Sequence, residues 1–265
     1  MKTGCRVFQA SFIALGLSWC GFVLAPVLQL GQEKQAAVLN SSEIYPDQRP
    51  GDATLGLQVY RAYGCAACHT TQVGQDGVMC DVVLTGKNPA AVSNLISSLK
   101  LTGLTKDEAD AVSGKITAAG GKTETHIVPT GADISRHWGS RHSVAEDFLW
   151  DEPVQLGSIR VGPDLANVGL RYDADWELMH LYEPKSKATG SAMPSFRFLF
   201  RKQKIGDAPS PDALPLSGGD VPAGYEMVPT DDAKNLVAYL LSLRADVPLH
   251  DAPFTTAAPA AGVKK

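Results

Sequence analysis

The sequence is short of three things, and each shortage excludes a class of protein. It has no basic excess: 24 Lys and Arg stand against 28 Asp and Glu, a formal net charge of −4, so it lacks the electrostatic footprint of a nucleic-acid-binding chain. It has one long uncharged apolar run rather than several, which excludes a polytopic membrane protein. It has five cysteines in 265 residues, too few for a disulfide scaffold, and the odd number points to another use for some of them. A composition of 44% hydrophobic and 20% charged residues is not that of a disordered chain. The length suits one large domain, or one small domain with attachments, and is too short for a multi-domain enzyme.

The uncharged run extends from Val7 to Leu30. As a helix it would reach roughly 36 Å, against a hydrocarbon core about 30 Å thick. Lys2 and Arg6 precede it, so the amino terminus is expected in the cytoplasm and the remainder outside. The one small-residue cleavage site, Val23-Leu24-Ala25, is followed by Pro26, and bulky Trp19 precedes Cys20 where lipidation would need a small residue. Residues 1–31 are therefore expected to be an uncleaved anchor rather than a signal peptide, with Cys5 and Cys20 as small apolar fillers.

Residues 32–51 are polar, contain Pro46 and Pro50, and read as a juxtamembrane linker. Asp52 is expected to cap a helix carrying Leu55, Val59 and Tyr60 that ends at Gly64. Residues 80–128 differ in character, with strand-like Asp81 to Leu84 and Thr123 to Val128 around two helix-like runs, Pro89 to Lys100 and Lys106 to Ala119. They predict a small α+β insertion. The stretches Asp81-Val82-Val83-Leu84 and Leu104-Thr105-Lys106-Asp107-Glu108-Ala109 are similar to the C-terminal domain of the ribosomal stalk protein, which implies a fold and no ribosomal role. Ser135 to Gly169 reads as loops with Trp138 and Trp150 covering apolar surface. A helix follows from Asp173 or Asp175 to Pro184, then a Pro/Gly-rich loop from Pro209 to Pro229 and a last helix from Thr230 or Asp231 through Leu243. The tail, 246–265, is expected to be disordered.

The chemistry lies in Gly64-Cys65-Ala66-Ala67-Cys68-His69. C-x-x-C-H is the attachment signature of a c-type haem: two thiols spaced for the two vinyl groups of one porphyrin, and a His beside them on one axial side of the iron. A redox C-x-x-C would open a helix after a strand, whereas this one closes a helix. Half of a zinc site would want a further Cys/His pair, and only Cys80 is near in sequence. Covalent haem attachment belongs to the exported side of a membrane, where the anchor also puts this domain.

A haem that moves electrons needs a sixth ligand. Met193, in a loop before Pro194, is the leading candidate among Met79, Met179, Met193 and Met227, with Met227 its rival and Met179 at the apolar spacing of a helix core. His126, His137, His142, His180 and His250 are lesser candidates. The run Gly162-Pro163-Asp164-Leu165 offers either the Pro163 carbonyl as acceptor for the free N–H of His69 or an ordinary turn.

Helix, C-x-x-C-H, G-P-x-L, middle helix, M-P and final helix is the order of a class I cytochrome c domain, which this chain resembles. The resemblance implies a mainly α fold in which Gly56 and Tyr60 cross Leu236 and Tyr239, with the domain at 52–79 and 129–245. Ser143 to Glu146, Gly157 to Gly169, Arg171-Tyr172, Trp176, His180 to Pro184 and Met193-Pro194 also resemble the membrane-anchored mono-haem subunit II of cbb3-type cytochrome c oxidases. That resemblance implies one covalent haem c held by Cys65 and Cys68, with His69 and Met193 on the iron. It also implies a single-pass protein of the cell inner membrane with the haem domain on the periplasmic side.

The implied partners are a donor cytochrome c and the haem–copper catalytic subunit, between which this subunit relays electrons without a catalytic site of its own. The link from His69 to Pro163 is longer than in that family because of the insertion, which alters the surface near Gln72. Two other functions remain open at this point: a stand-alone membrane-anchored cytochrome shuttle, and a haem enzyme or gas sensor with an open sixth site.

Overall fold

The computed structural model describes residues 2–86, 88–216 and 221–249, so most of the expected tail, 250–265 with His250, lies outside the described residues. The structure is about 42% helical, and the described residues also form three small two-stranded antiparallel sheets.

The amino-terminal run forms α1 (Lys2–Trp19), a π-turn (Cys20–Leu24) and α2 (Ala25–Leu30). The helix widens one turn before Pro26, whose ring removes a backbone donor from the ladder. Gly4–Gln29 is long and apolar enough to cross a membrane, and none of its hydrophobic window is covered by the rest of the chain.

The segment expected as a linker is structured. It makes a hairpin from β1 (Ala36–Ala37) and β2 (Ile44–Tyr45) and docks on the domain. Val38 is buried, and Leu39 N donates to Pro248 O at 3.0 Å. Tyr45 donates to Asp147 at 2.8 Å, and Arg49 pairs with buried Asp151. Trp150 Nε1 donates to Pro46 O at 3.2 Å. Asp246 to Leu249, expected to be disordered, is docked as well: Leu249 is buried and Val247 O accepts from Arg141 Nε at 2.7 Å. Polar composition made these segments look free, but Tyr45 and Arg49 find carboxylate partners inside the fold.

The centre of the domain is the crossing of α3 (Gly51–Ala62) with the last helix, α10 (Asp231–Ser242). Pro50, not Asp52, occupies the N-cap of α3, and Asp52 lies in its first turn, where a carboxylate favours the helix dipole. Ala53, Gly56, Leu57, Val59 and Tyr60 form its buried face at helical spacing. A Cβ on Gly56 would lie 1.9 Å from Asn235 O and 2.7 Å from Tyr239 Cβ, so the two backbones touch where only glycine fits. The Tyr60 and Tyr239 rings meet beside it, 5.2 Å apart. Thr230 caps α10 by accepting from Ala233 N.

The inserted unit comprises β3 (Gly77–Leu84), α4 (Ala90–Ile96), α5 (Lys106–Ala118) and β4 (Thr123–Thr130), the strands pairing from Gly77↔Thr130 to Leu84↔Thr123. It starts three residues before the sequence boundary because the ladder extends to its base. It has its own core of Cys80, Val82, Val92, Leu104, Ala109 and Ile116. A reciprocal cap between Thr105 and Glu108 starts α5. After α6 (Ala132–Ser135) the chain runs in loops to α7 (Val168–Arg171), α8 (Ala174–Tyr182) and α9 (Pro184–Lys187), with Asp173 capping α8 through Trp176 N at 2.8 Å. The region expected as a Pro/Gly loop holds a strand instead: β5 (Phe200–Lys204) pairs with β6 (Tyr225–Pro229).

Candidate functional site

Helix α3 ends at Ala62, and Gly64 adopts φ +68°, a left-handed conformation that turns the chain into a short 3-10 turn at Cys65–Ala67. Both thiols are free; Cys65 is half-buried against the core and Cys68 is exposed. Burial pushes the Cys65 thiol up to about 11, so it is protonated at neutral pH and unlike a redox nucleophile. Cys80 lies in the separate core of the inserted unit, and among the described residues no three His, Cys, Asp or Glu side chains gather as a metal cluster.

The Gly162–Leu165 run lies along the residues after the motif as a short backbone ladder. Gly162 N donates to Cys68 O at 2.9 Å, and Leu165 N to Thr70 O at 2.8 Å. Between them, Nδ1 of His69 lies 2.8 Å from Pro163 O. The His69 ring passes so close to Gly162 that a Cβ there would lie 2.2 Å from its Cε1. Burial lowers the His69 pKa, opposed by the Pro163 carbonyl and Asp164, which favours the neutral, ligand form of the ring.

A buried network that sequence patterns gave no reason to single out holds this ladder. Asp164, fully buried, accepts from Thr70 Oγ1, from Gln72 N at 2.8 Å and from Ala166 N at 2.8 Å. Arg160 donates to Thr70 Oγ1 and Asp133 Oδ1, each at 2.8 Å, and Asp133 accepts from Gly74 N at 2.7 Å. Arg160 also stacks over Trp138, 5.4 Å from its centroid. The only sequence signal was acidic and basic residues within an otherwise apolar loop.

Met193, Met179 and Met227 all pack half-buried against the core that Cys65 joins, while Met79 lies in β3 opposite Val128. Met227 is fixed in β6 opposite Lys202. The Met193 loop is fastened to the end of α8, where Phe196 N donates to Leu181 O at 2.8 Å. The Phe196 ring lies 6.3 Å from Tyr63, two residues before Cys65, so this loop meets the chain just ahead of the motif.

His180, a lesser candidate by sequence, stands on the neighbouring turn of α8. Its ring stacks on Trp176 at 4.7 Å, which stacks on Tyr172 at 3.5 Å. Burial and His69 hold its pKa down to about 4. Of the others, His126 lies in β4, His137 has φ +59°, and His142 Nδ1 meets Gln75 at 3.1 Å.

Six buried polar atoms near these elements have no hydrogen-bond partner: Nε of Arg171, Nδ1 of His180, Oε1 of Glu177, Oδ1 of Asn167 and the Tyr60 and Tyr239 hydroxyls. Burying such atoms unpaired is costly, so they mark where a partly polar group belongs. Two thiols on one turn, a neutral imidazole held through one nitrogen, a glycine against its ring and unpaired cationic and imidazole N–H groups for carboxylates together fit a haem.

Residues 124–214 match the family described as cytochrome C oxidase, mono-heme subunit/FixO. The match takes in nearly all of β4, the Arg160–Asp164 pair, α8 and Met193. The family implies one haem and association with a catalytic oxidase complex. With the apolar amino-terminal helix it also suggests a membrane anchor. No curated protein matches the chain.

Proposed function

We propose that this chain, a relative of the mono-haem cytochrome c oxidase subunits over residues 124–214, is the electron-relaying subunit II of a cbb3-type oxidase, with a class I cytochrome c domain at 52–79 and 129–245. In this reading Cys65 and Cys68 would hold one haem c covalently, and His69 and Met193 would bind its iron. The haem, when bound, supplies one-electron exchange between ferric and ferrous iron. The observation that carries the reading is the 2.8 Å approach of His69 Nδ1 to Pro163 O, which orients the ring and leaves Nε2 for the metal.

The protein's own residues do the rest. The Gly162–Leu165 ladder and the Asp164–Arg160 network fix the imidazole. The Met193 loop, held at Leu181 through Phe196 N, would supply the thioether. Arg171 Nε and His180 Nδ1, both buried without partners, would bind the group's carboxylates. In this topology the domain faces the periplasm.

The docked strap favours a fixed subunit over a swinging shuttle. Only residues 31–35 separate α2 from β1, a reach of at most roughly 17 Å, and from Ala36 onward the chain is held to the domain. The haem would thus be kept near its neighbours' haems rather than carried between complexes. Purification from native membranes tests this reading: co-isolation with a haem–copper catalytic subunit is expected, and isolation as a free monomer under the same mild conditions contradicts it.

A further inference from the structure

Glu177 stands apart from the other buried carboxylates among the described residues. Asp133 accepts from Gly74 N, Asp151 pairs with Arg49, Asp164 accepts from Gln72 N and Glu226 accepts from Ser210 N. Glu177 is 4% exposed, and its Oε1 has no hydrogen-bond partner. A buried carboxyl without donors resists ionisation. Burial pushes it up to about 7; Arg171 opposes this and Asp173 adds to it.

Its place ties it to the residues around His69. Arg171 acts electrostatically on both Glu177 and His69, lowering the pKa of each. It also donates to Asp164 O, beside Pro163, and its Nε has no partner. His180, three residues after Glu177 on the same side of α8, feels the His69 ring as well. The other elements packed on α8 bring few charges inward. On α10, Asp231, Asp232 and Lys234 are exposed and Tyr239 is buried beside Tyr60. On α9, Lys185 and Lys187 are exposed, and Arg197 of the turn before β5 pairs with Glu183. Arg171 and Asp173 are thus the charges that govern Glu177.

Resting on the reading of this site as a haem site, we propose that Glu177 is a redox-linked proton site. Its carboxylate takes up one proton from solvent when one electron enters the iron, and gives it back when the electron leaves. The electron cancels one positive charge at the site, which raises the proton affinity of a nearby buried carboxylate, and the proton restores the charge. Asp173, exposed one turn earlier on α8, offers the proton an acidic neighbour on its way from solvent.

The test is a spectroelectrochemical titration of the full chain, haem-loaded, in neutral detergent, from about pH 5.5 to 8.5. The midpoint potential is expected to fall as pH rises through about 7, by roughly 59 mV if reduction raises the proton affinity tenfold. Glu177→Gln, neutral throughout, should keep its haem spectrum and hold the low-pH potential across the range. Asp175→Asn, which removes an exposed carboxylate two residues away, should behave as the unaltered protein. Reduction of the unbuffered protein near pH 7, followed with a pH-indicator dye, should take up protons in the unaltered protein and not in Glu177→Gln.

A potential that stays constant over this range, or a fall that Glu177→Gln leaves intact, overturns the proposal; the second result assigns the proton to His180 or to the bound group's carboxylates. Should Glu177→Gln load no haem, Glu177→Asp decides: a fall displaced in pH supports the proposal, and an unchanged one overturns it. An unaltered chain without haem would be recognised first, by its spectrum, and removes the underlying reading as well.

Discussion

The Nδ1 of His69 and the carbonyl oxygen of Pro163 lie 2.8 Å apart across 94 residues of sequence, with the whole inserted unit between them. The insertion leaves this contact intact because its two strands pair along their length, from Gly77↔Thr130 to Leu84↔Thr123, and return the chain near its point of departure. The domain thus accepts some fifty additional residues at the cost of one closed loop.

The contact depends on a missing side chain. A Cβ on Gly162 would lie 2.2 Å from His69 Cε1, inside any allowed separation. Gly162→Ala is expected to displace the imidazole and give a chain with a disturbed or absent axial His, read from its absorption spectrum. Gly206→Ala, where nothing lies within 4 Å, should leave the spectrum unchanged.

The helix crossing behind the site is equally tight. Gly56→Ala would press a methyl group against Asn235 O and Tyr239 Cβ, and is expected to destabilise the domain by about 2–4 kcal/mol in urea unfolding. Leu55→Ala, at an exposed position of the same helix, should cost far less.

The strap can be tested through Arg49, which pairs with buried Asp151 and lies over the Tyr239 ring at 5.1 Å. Arg49→Ala leaves Asp151 buried without its charge partner, a loss of order 3 kcal/mol. Limited proteolysis should then cut within residues 36–50, which the unaltered chain protects.

Glu177 gives the protein a specific pH dependence. Burial pushes its carboxyl up to about 7, opposed by Arg171. Its folded pKa therefore stands above its unfolded value, so its contribution is complete below about pH 4.5 and is lost as pH rises through about 7. Unfolding midpoints measured from about pH 5 to 8 should fall by up to roughly 2–3 kcal/mol more in the unaltered protein than in Glu177→Gln.

Short runs drew attention to the elements of the candidate site: the motif at Cys65 to His69, the Gly162–Leu165 run whose Pro163 O meets His69, and Gly56 and Tyr60 against Tyr239. Helical periodicity located α3, α5, α8 and α10 to within a few residues. What escaped was long-range. The strap's polar residues are paired with Asp147 and Asp151 about 100 residues away, and β5 and β6 are joined across a Pro/Gly-rich stretch whose composition signals a loop. The Asp164–Arg160 network escaped for the same reason, since its members are ordinary charged residues until the fold buries them. His180 ranks low in the sequence because a lone histidine carries no periodic signal, while the fold buries it on α8.

The central claim, a single six-coordinate haem serving electron transfer, is tested most directly by the absorption spectrum of the reduced, purified chain with and without carbon monoxide. A low-spin c-type spectrum that carbon monoxide leaves unchanged is predicted, since His69 and Met193 would both bind the iron. Rapid carbon monoxide binding, or the absence of a haem spectrum from protein made with covalent haem attachment, would contradict it.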